Sequence, residues 1–342
     1  MTSAPRIVLA LMVGAAAGWT ANRLGLPLPW MLGPMIANTL LSILKAPVAA
    51  PAGLRPFVIP VIGVLLGSTI SAEILGRLGE WALTVAVMLP FLAVAAAGSY
   101  FVYRRIGGYD PVTAYFSAMP GGLNEMLIMG AASGGVEKRI ALAHASRILV
   151  VISFVGLFYG LVLDVRSSSG AARGWVALST LSPQDWAWLG GCALVGIPVG
   201  RFLRLPAPVM LGPMLLSGIA HLLHLVEVAP PSLLVIAAQI VLGTVIGCRF
   251  LGASAREIGR DIWLGVWSSS AMLLVAVGFA FLTASLTDTP VAQVFLAYSP
   301  GGLTEMSLLA LAMGQDVAYV SIMHLLRILI VIVAAPAVFR RR

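Results

Sequence analysis

The 342-residue chain is 60% apolar and only 10% charged, with a mean hydropathy of +1.00 and a formal net charge of +8. No soluble domain of this length can hide so much apolar side chain, so the composition implies a multi-span membrane protein. The 21 Lys and Arg are scattered over the loops with one short cluster at Arg340–Arg342, which suits loops beside a bilayer and not a nucleic-acid-binding face.

The first element is an apolar run between Arg6 and Trp19. It has the outline of a signal peptide, but the same segment recurs near residue 185 as an ordinary span, which argues against cleavage. Next comes "LPLPWMLGPM" at Leu26 to Met35, read as a helix start in which Pro is tolerated in the first turn and Gly permits close packing. A hinge or cavity wall is the alternative. Further on, "MPGGLNEM" at Met119 to Met126 puts a helix-breaking Pro-Gly-Gly and a carboxylate inside an apolar stretch, and "HASRIL" at His144 to Leu149 follows.

After a polar linker the same signs return in the same order. "LPAPVMLGPM" spans Leu205 to Met214, "SPGGLTEM" Ser299 to Met306, and "HLLRIL" His324 to Leu329, at offsets of 179 to 180 residues. The expected organisation is a membrane repeat at 1–163, a linker at 164–183 and a second repeat at 184–342. Each half offers six apolar segments, in the second half roughly 186–200, 208–224, 232–248, 262–286, 291–313 and 317–338. The fifth carries the Pro-Gly-Gly. Each of its arms is about 15 Å of helix at 1.5 Å per residue, half of a hydrocarbon core of about 30 Å. Length therefore allows a broken full span or a hairpin that enters and leaves on one side.

Loop charge separates the two. With all six segments crossing, the Lys and Arg divide ten to nine; with both Pro-Gly-Gly segments re-entrant, fifteen fall on one side and only Arg23, Arg77, Arg166 and Arg173 on the other. The second division obeys the positive-inside rule. The expected fold is an all-α polytopic membrane protein of two inverted five-span repeats, each with a re-entrant hairpin, with both termini cytoplasmic. Inverted repeats with interrupted helices at the centre are the architecture of many secondary transporters.

The expected site gathers Gly121, Gly122, Asn124, Glu125, His144 and Arg147 from one half, and Gly301, Gly302, Thr304, Glu305, His324 and Arg327 from the other. The Gly-Gly opens a second half-helix whose first N–H groups can bind an anion. Each Glu falls in the first turn of that half-helix, where the dipole favours it. His and Arg, three apart, share a face of the following span. A charge in hydrocarbon costs about 2.5–3.5 kcal/mol on insertion scales, so Glu125–Arg147 and Glu305–Arg327 pairs are expected, as structural locks or as parts of a substrate or proton site. The halves also differ: Asn124 matches Thr304, and Gly135-Val136 matches Gln315-Asp316, so any site is pseudo-symmetric.

"HLLHLVE" (His221, His224, Glu227) has metal-like spacing but no further ligand nearby, and reads as a polar helix end. Cys192 and Cys248 stand singly in apolar segments and read as packing residues. No phosphate-binding loop, nucleophile elbow or zinc motif is present. No cofactor or metal is expected, and the partners are the bilayer, a small solute and a homo-oligomeric copy.

At the duplicated PGGLxEM and HxxRIL signatures the chain resembles the AbrB-type duplicated membrane proteins of bacteria, whose members carry the labels ammonia monooxygenase and regulator of gene expression. The resemblance covers nearly the whole chain and implies an inner-membrane protein of this architecture. The monooxygenase label fits these residues poorly, since no cluster here can hold copper or iron. Regulation would be indirect, because no soluble DNA-binding domain exists. The resulting expectation is a non-enzymatic secondary transporter of a small anionic or zwitterionic solute. A membrane sensor is the alternative, and an oxidising enzyme ranks last.

Overall fold

The computed structural model describes residues 3–26, 28–71, 79, 81–161, 175–205 and 207–335. The side chains of Asn124 and of residues 157–161 lie outside that description, as do Arg77, Arg166, Arg173 and Arg340–Arg342 from the charge count and most of the expected linker.

Among the described residues every regular element is a helix. The first half gives α1 (Ser3–Arg23), α2 (Pro29–Ile43), α3 (Arg55–Gly67), α4 (Trp81–Phe101, closing in a π-helical turn Val102–Ile106), α5 (Pro111–Ala118), α6 (Leu123–Ala132) and α7 (Glu137–Leu161). The second gives α8 (Pro183–Phe202), α9 (Pro208–Leu222), α10 (Ser232–Gly247), α11 (Ala255–Leu286), α12 (Val291–Tyr298), α13 (Leu303–Ala312) and α14 (Val317–Ala334). Six described helices (α1, α4, α7, α10, α11 and α14) are long and apolar enough to cross a bilayer. α2, α3 and α9 have 13 to 15 residues, about 20–23 Å of helix. That is short of a core of about 30 Å, and a ten-span count needs these three helices and the 20-residue α8 as well.

The chain divides into two compact units, and both draw on both sequence halves: one is Met1–Leu78, Val155–Leu251 and Ser307–Ala318, the other Gly79–Phe154, Gly252–Met306 and Tyr319–Arg342. In the first unit α2 packs between α1 and α10, while α9 packs between α8 and α3. The MLGPM strings explain this exchange. A Cβ on Gly243 or Gly247 of α10 would overlap the carbonyl oxygens of Met31 and Met35, and one on Gly63 or Gly67 of α3 those of Met210 and Met214. Gly33 and Gly212, within the strings themselves, meet backbone of α1 and α8 in the same way. Close backbone approach through small residues is how helices associate where lipid removes the hydrophobic drive, so the packing reading of these strings holds. Side-chain bonds add to it: Asn38 Nδ2 donates to Ala10 O (3.2 Å), Ser42 Oγ to Gly247 O (3.2 Å) and Ser217 Oγ to Val64 O (2.8 Å).

The backbone repeats at the same spacing as the sequence. Leu28 and Ala207 hold left-handed φ of 46° and 53° just before α2 and α9, and Lys45 and His224 hold 56° and 54° just after them. A left-handed non-glycine residue costs about 1–2 kcal/mol, so four such sites reflect a backbone fixed by its surroundings. His221 hydrogen-bonds to Ser217 O (2.8 Å) and Val228 O (3.3 Å), and His224 lies 3.5 Å from Glu227 at the surface. That is a polar helix end. Cys192 and Cys248 are buried and unbridged, each packed in an apolar cluster.

In the second unit α4 lies on α11, where Ser99 Oγ and Ser268 Oγ share a hydrogen bond of 2.6 Å. Phe91 of α4 stacks on Tyr298 of α12 at 4.8 Å between ring centres. α11 also touches α7, because a Cβ on Gly265 would come within 2.7 Å of Ser146 Cβ.

Candidate functional site

Both Pro-Gly-Gly strings break a helix into two short pieces. Ala118 ends α5 and Leu123 begins α6; Tyr298 ends α12 and Leu303 begins α13. Met119 and Ser299 are extended, so the last carbonyls of α5 and α12 lose their helical partners. In the first half the chain then turns back on itself. Val136 N donates to Thr113 Oγ1 at 2.8 Å, and Cβ atoms on Gly130 and Gly135 would lie 3.3 Å from Phe116 and Val112. A straight helical continuation across this stretch would hold Thr113 and Val136 about 35 Å apart.

The glycines are required by close approach. A Cβ on Gly121 would sit 2.8 Å from Val331 Cγ1 of α14 and 3.0 Å from Met126 Cε; one on Gly301 would sit 2.6 Å from Met306 Cε. A Cβ on Gly122 or Gly302 would collide with the carboxylate of Glu125 or Glu305. Each Glu therefore folds back over the N-terminus of its own helix. That places negative charge at the positive end of the dipole. Tyr115 of α5 reaches α14 as well, donating to Ala335 O at 3.2 Å.

The arginines do the complementary thing. Arg147, 3% exposed on α7, donates from Nη1 to Met119 O (2.9 Å) and from Nη2 to His144 Nδ1 (2.7 Å). Guanidinium has no acceptor, so His144 Nδ1 accepts and its Nε2 carries the proton given to Phe116 O at 2.9 Å. Arg327, 2% exposed on α14, donates to both Ser299 O (2.5 Å) and Gly301 O (2.7 Å). His324 turns its Nδ1 to Val320 O, 3.0 Å away on its own helix. Each arginine thus binds the negative end of the broken helix, as cations do at helix C-termini.

The expected Glu125–Arg147 and Glu305–Arg327 ion pairs are not formed: neither occurs among the ion pairs of the described residues. Helix ends on either side of each break supply the counter-charge that pairing was expected to supply. The Nε atoms of Arg147 and Arg327 are buried with no hydrogen-bond partner among the described residues, and Arg147 is near enough for its charge to act on Arg327.

All twelve expected site residues fall in the second unit. The structure brings the glycines, Glu125, Glu305, His144, Arg147, His324 and Arg327 to the two breaks; Thr304 is half-buried in the first turn of α13. Sequence reasoning missed the carbonyls of Phe116, Met119 and Ser299, which are backbone groups and carry no residue signature. It also missed Asp261 and Tyr103. Among the described residues no three His, Cys, Asp or Glu are grouped so as to hold a metal ion.

The family model described as "Transition state regulatory protein AbrB" matches residues 30–342. A Bacillus subtilis (strain 168) protein named "Uncharacterized protein YhjN" is 25% identical over 356 residues, covering 96% of this chain and 91% of the relative. An Escherichia coli (strain K12) protein named "Putative regulator AbrB" is 25% identical over 317 residues, covering 92% and 90%.

Proposed function

Because this chain belongs to the AbrB family, with apolar helices long enough to span a bilayer, we propose that it binds a small anionic or zwitterionic solute at the two helix breaks and carries it across a bacterial inner membrane. The observation that supports this best is the pair of buried arginines, Arg147 and Arg327, which among the described residues have no carboxylate partner and keep an unbonded Nε. Burying cationic charge without a matching anion is costly. A protein that retains two such groups beside broken backbone has a use for an anion there. Non-helical backbone at membrane depth is tolerated where it lines a cavity or is covered by protein.

In this reading both Pro-Gly-Gly segments are re-entrant hairpins. The contact of Val136 with Thr113 and the loop-charge asymmetry support it. The repeats are then inverted, both termini are cytoplasmic and the two hairpins approach the midplane from opposite faces. Glu125 and Glu305 hold the half-helix N-termini and compete with the solute for them. The work is binding and transfer, with no covalent chemistry.

The test is thermal unfolding of the detergent-solubilised full chain with acetate, succinate, glutamate and sulfate, set against tetramethylammonium and putrescine. A bound solute stabilises by mass action, so at least one anion should raise the melting temperature dose-dependently, and proteoliposomes should accumulate it. Stabilisation by the cations alone overturns the reading. Binding without uptake supports the second reading, a membrane sensor, which the word "regulator" in the name of the E. coli relative favours.

A further inference from the structure

The second unit holds a buried carboxylate that the anion site does not use. Asp261 lies on α11 and is 5% exposed. Its Oδ1 accepts a 2.7 Å hydrogen bond from the hydroxyl of Tyr109, itself 1% exposed. The Tyr109 ring stacks on Tyr103, with centroids 5.5 Å apart. Tyr103 sits in the π-helical turn that closes α4 and is fully buried, with its hydroxyl beside Ser268 of α11. That hydroxyl lies in the fields of both Arg147 and Asp261. π-helical turns concentrate at functional positions. One end of this chain is the arginine of the proposed anion site; the other is a titratable group one helical turn from Gly265, which touches the α7 backbone next to Arg147.

Among the described residues, the positions matched by the repeat hold no such carboxylate. Taking the 180-residue spacing of Pro120 and Pro300, Asp261 corresponds to Trp81, Arg139 to Tyr319, Tyr109 to Thr289 and Tyr103 to Thr283. There Trp81 packs edge-on against Tyr319 at 5.5 Å, and the Tyr298 hydroxyl donates to Thr84 O at 2.8 Å. The counterpart of Arg260, Glu80, lies outside the described residues. A purely architectural network would tend to repeat with the architecture. Among the described residues the matched positions join hydroxyls instead, Thr283 with Tyr298 and Tyr319 with Thr84, each at 3.1 Å, and a carboxylate bonded to a tyrosine is found on one side only.

We propose that Asp261 is the proton-binding residue of the protein, and that Tyr109 and Tyr103 link its protonation to the charge of Arg147. The step is a simple proton transfer: the carboxylate takes one proton from water and becomes a neutral carboxyl, and the same proton leaves on return. It rests on the transport reading, for which it names the coupling ion. The groups facing Asp261 set its balance. Arg260 beside it and Arg139 from α7 hold their guanidinium carbons 5.9 Å and 5.2 Å from the Tyr109 ring centre and favour the carboxylate. Glu257, one turn away, favours the neutral form but is tied to Lys138 at 2.9 Å. Arg104 holds the Tyr109 carbonyl at 2.9 Å. Protonation turns the charged acceptor that holds Tyr109 into a neutral, weaker one, and so loosens the ring that stacks on Tyr103.

Infrared difference spectra of the full chain between acid and alkaline pH test the proposal. The parent should show a buried protonated-carboxyl band that Asp261→Asn removes and Glu257→Gln leaves in place. Tyr109→Phe deletes a hydrogen bond to the charged form, so the band should titrate at higher pH, by roughly tenfold in proton affinity. In the thermal assay with the same four anions, Asp261→Asn should keep the anion shift and lose its dependence on pH. A carboxyl band that survives Asp261→Asn, or no such band in the parent wherever the fold persists, overturns the proposal. So does an unchanged pH dependence of the anion shift. Should Asp261→Asn fail to fold, Tyr109→Phe decides: a moved midpoint supports the proposal and an unmoved one overturns it. If no anion stabilises the parent, the transport reading falls, while the infrared result still decides whether Asp261 binds the proton.

Discussion

Replacing Arg327 by Lys keeps the charge and removes the fork, and the two arginines should respond unequally. Arg327 uses two nitrogens to hold the carbonyls of Ser299 and Gly301, which lie on either side of Pro300. A lysine ammonium is a point charge on a flexible stem and can hold one of them well. A hydrogen bond to a charged group contributes about 1.5–3 kcal/mol, so Arg327→Lys should destabilise the protein by about that amount. Arg147 holds only one carbonyl, that of Met119; its other bond goes to His144. Lysine can keep the Met119 bond, and what is lost is a contact with a neutral imidazole. Arg147→Lys should therefore cost about 1 kcal/mol. Reversible unfolding of the detergent-solubilised variants, followed by circular dichroism, measures both. An Arg147→Lys cost equal to or above that of Arg327→Lys would refute the reasoning, and so would two variants as stable as the parent.

Two glycine substitutions should separate rigid from yielding contacts: Gly212→Ala drives a methyl into the Gly196 backbone and should cost about 1–3 kcal/mol by overpacking. Gly122→Ala meets only the mobile end of Glu125 and should cost less, about 1 kcal/mol for the disturbed cap; the opposite ranking in unfolding experiments would count against the packing account of α8 and α9. Gly121→Val should abolish the anion-induced melting shift, since its Cβ would lie 2.8 Å from Val331 and push the tip away from α14. On the proposed re-entrant topology, single cysteines at 288–290 and at 314–316 should both label from the periplasmic face; labelling from opposite faces would make the segment between them a broken full span.

Much of the fold was legible because its strongest signals are periodic or duplicated. The Pro-Gly-Gly strings fix the breaks, and paired His and Arg three residues apart mark α7 and α14. The capping boxes Ser182–Asp185 and Ser254–Glu257 mark the starts of α8 and α11. That last signal was available and went unused. Starting α11 at Ala255, as Ser254 and Glu257 require, puts Asp261 seven residues into the helix, where its burial could have been expected. What the sequence hides is the partner of each charge. The Glu and Arg of each half look like a pair because opposite charges in hydrocarbon usually pair, yet the competing partner is backbone. A helix end offers a half-charge of either sign, and no residue letter records it. The mixing of the two halves within each compact unit is also invisible locally, since it depends on which α2-like helix meets which glycine face.

The arrangement at the breaks bears directly on how such a site can release what it binds. A Glu–Arg ion pair at each break would be satisfied within itself, and an entering anion would have to displace a full charge. Here each Glu lies over the N-terminus of α6 or α13, and each Arg on the carbonyls that close α5 or α12. Both charges are held by dipole ends, which contribute about 0.3–1 kcal/mol when exposed and up to about 2 kcal/mol when partly buried. An anion reaching the Nε edges of Arg147 and Arg327 competes only with those weaker holds, and the Nη bonds to the carbonyls need not break at all. Binding can then be strong enough to select negative charge and weak enough to reverse. The two breaks also differ, because Arg327 is committed to two carbonyls and Arg147 to one. Of the two, Arg147 has the greater freedom to turn toward a ligand, and Arg147 is also the arginine whose charge reaches Tyr103. Solute and proton would thus meet at the first break, beside Arg147, with the second break serving as the fixed wall.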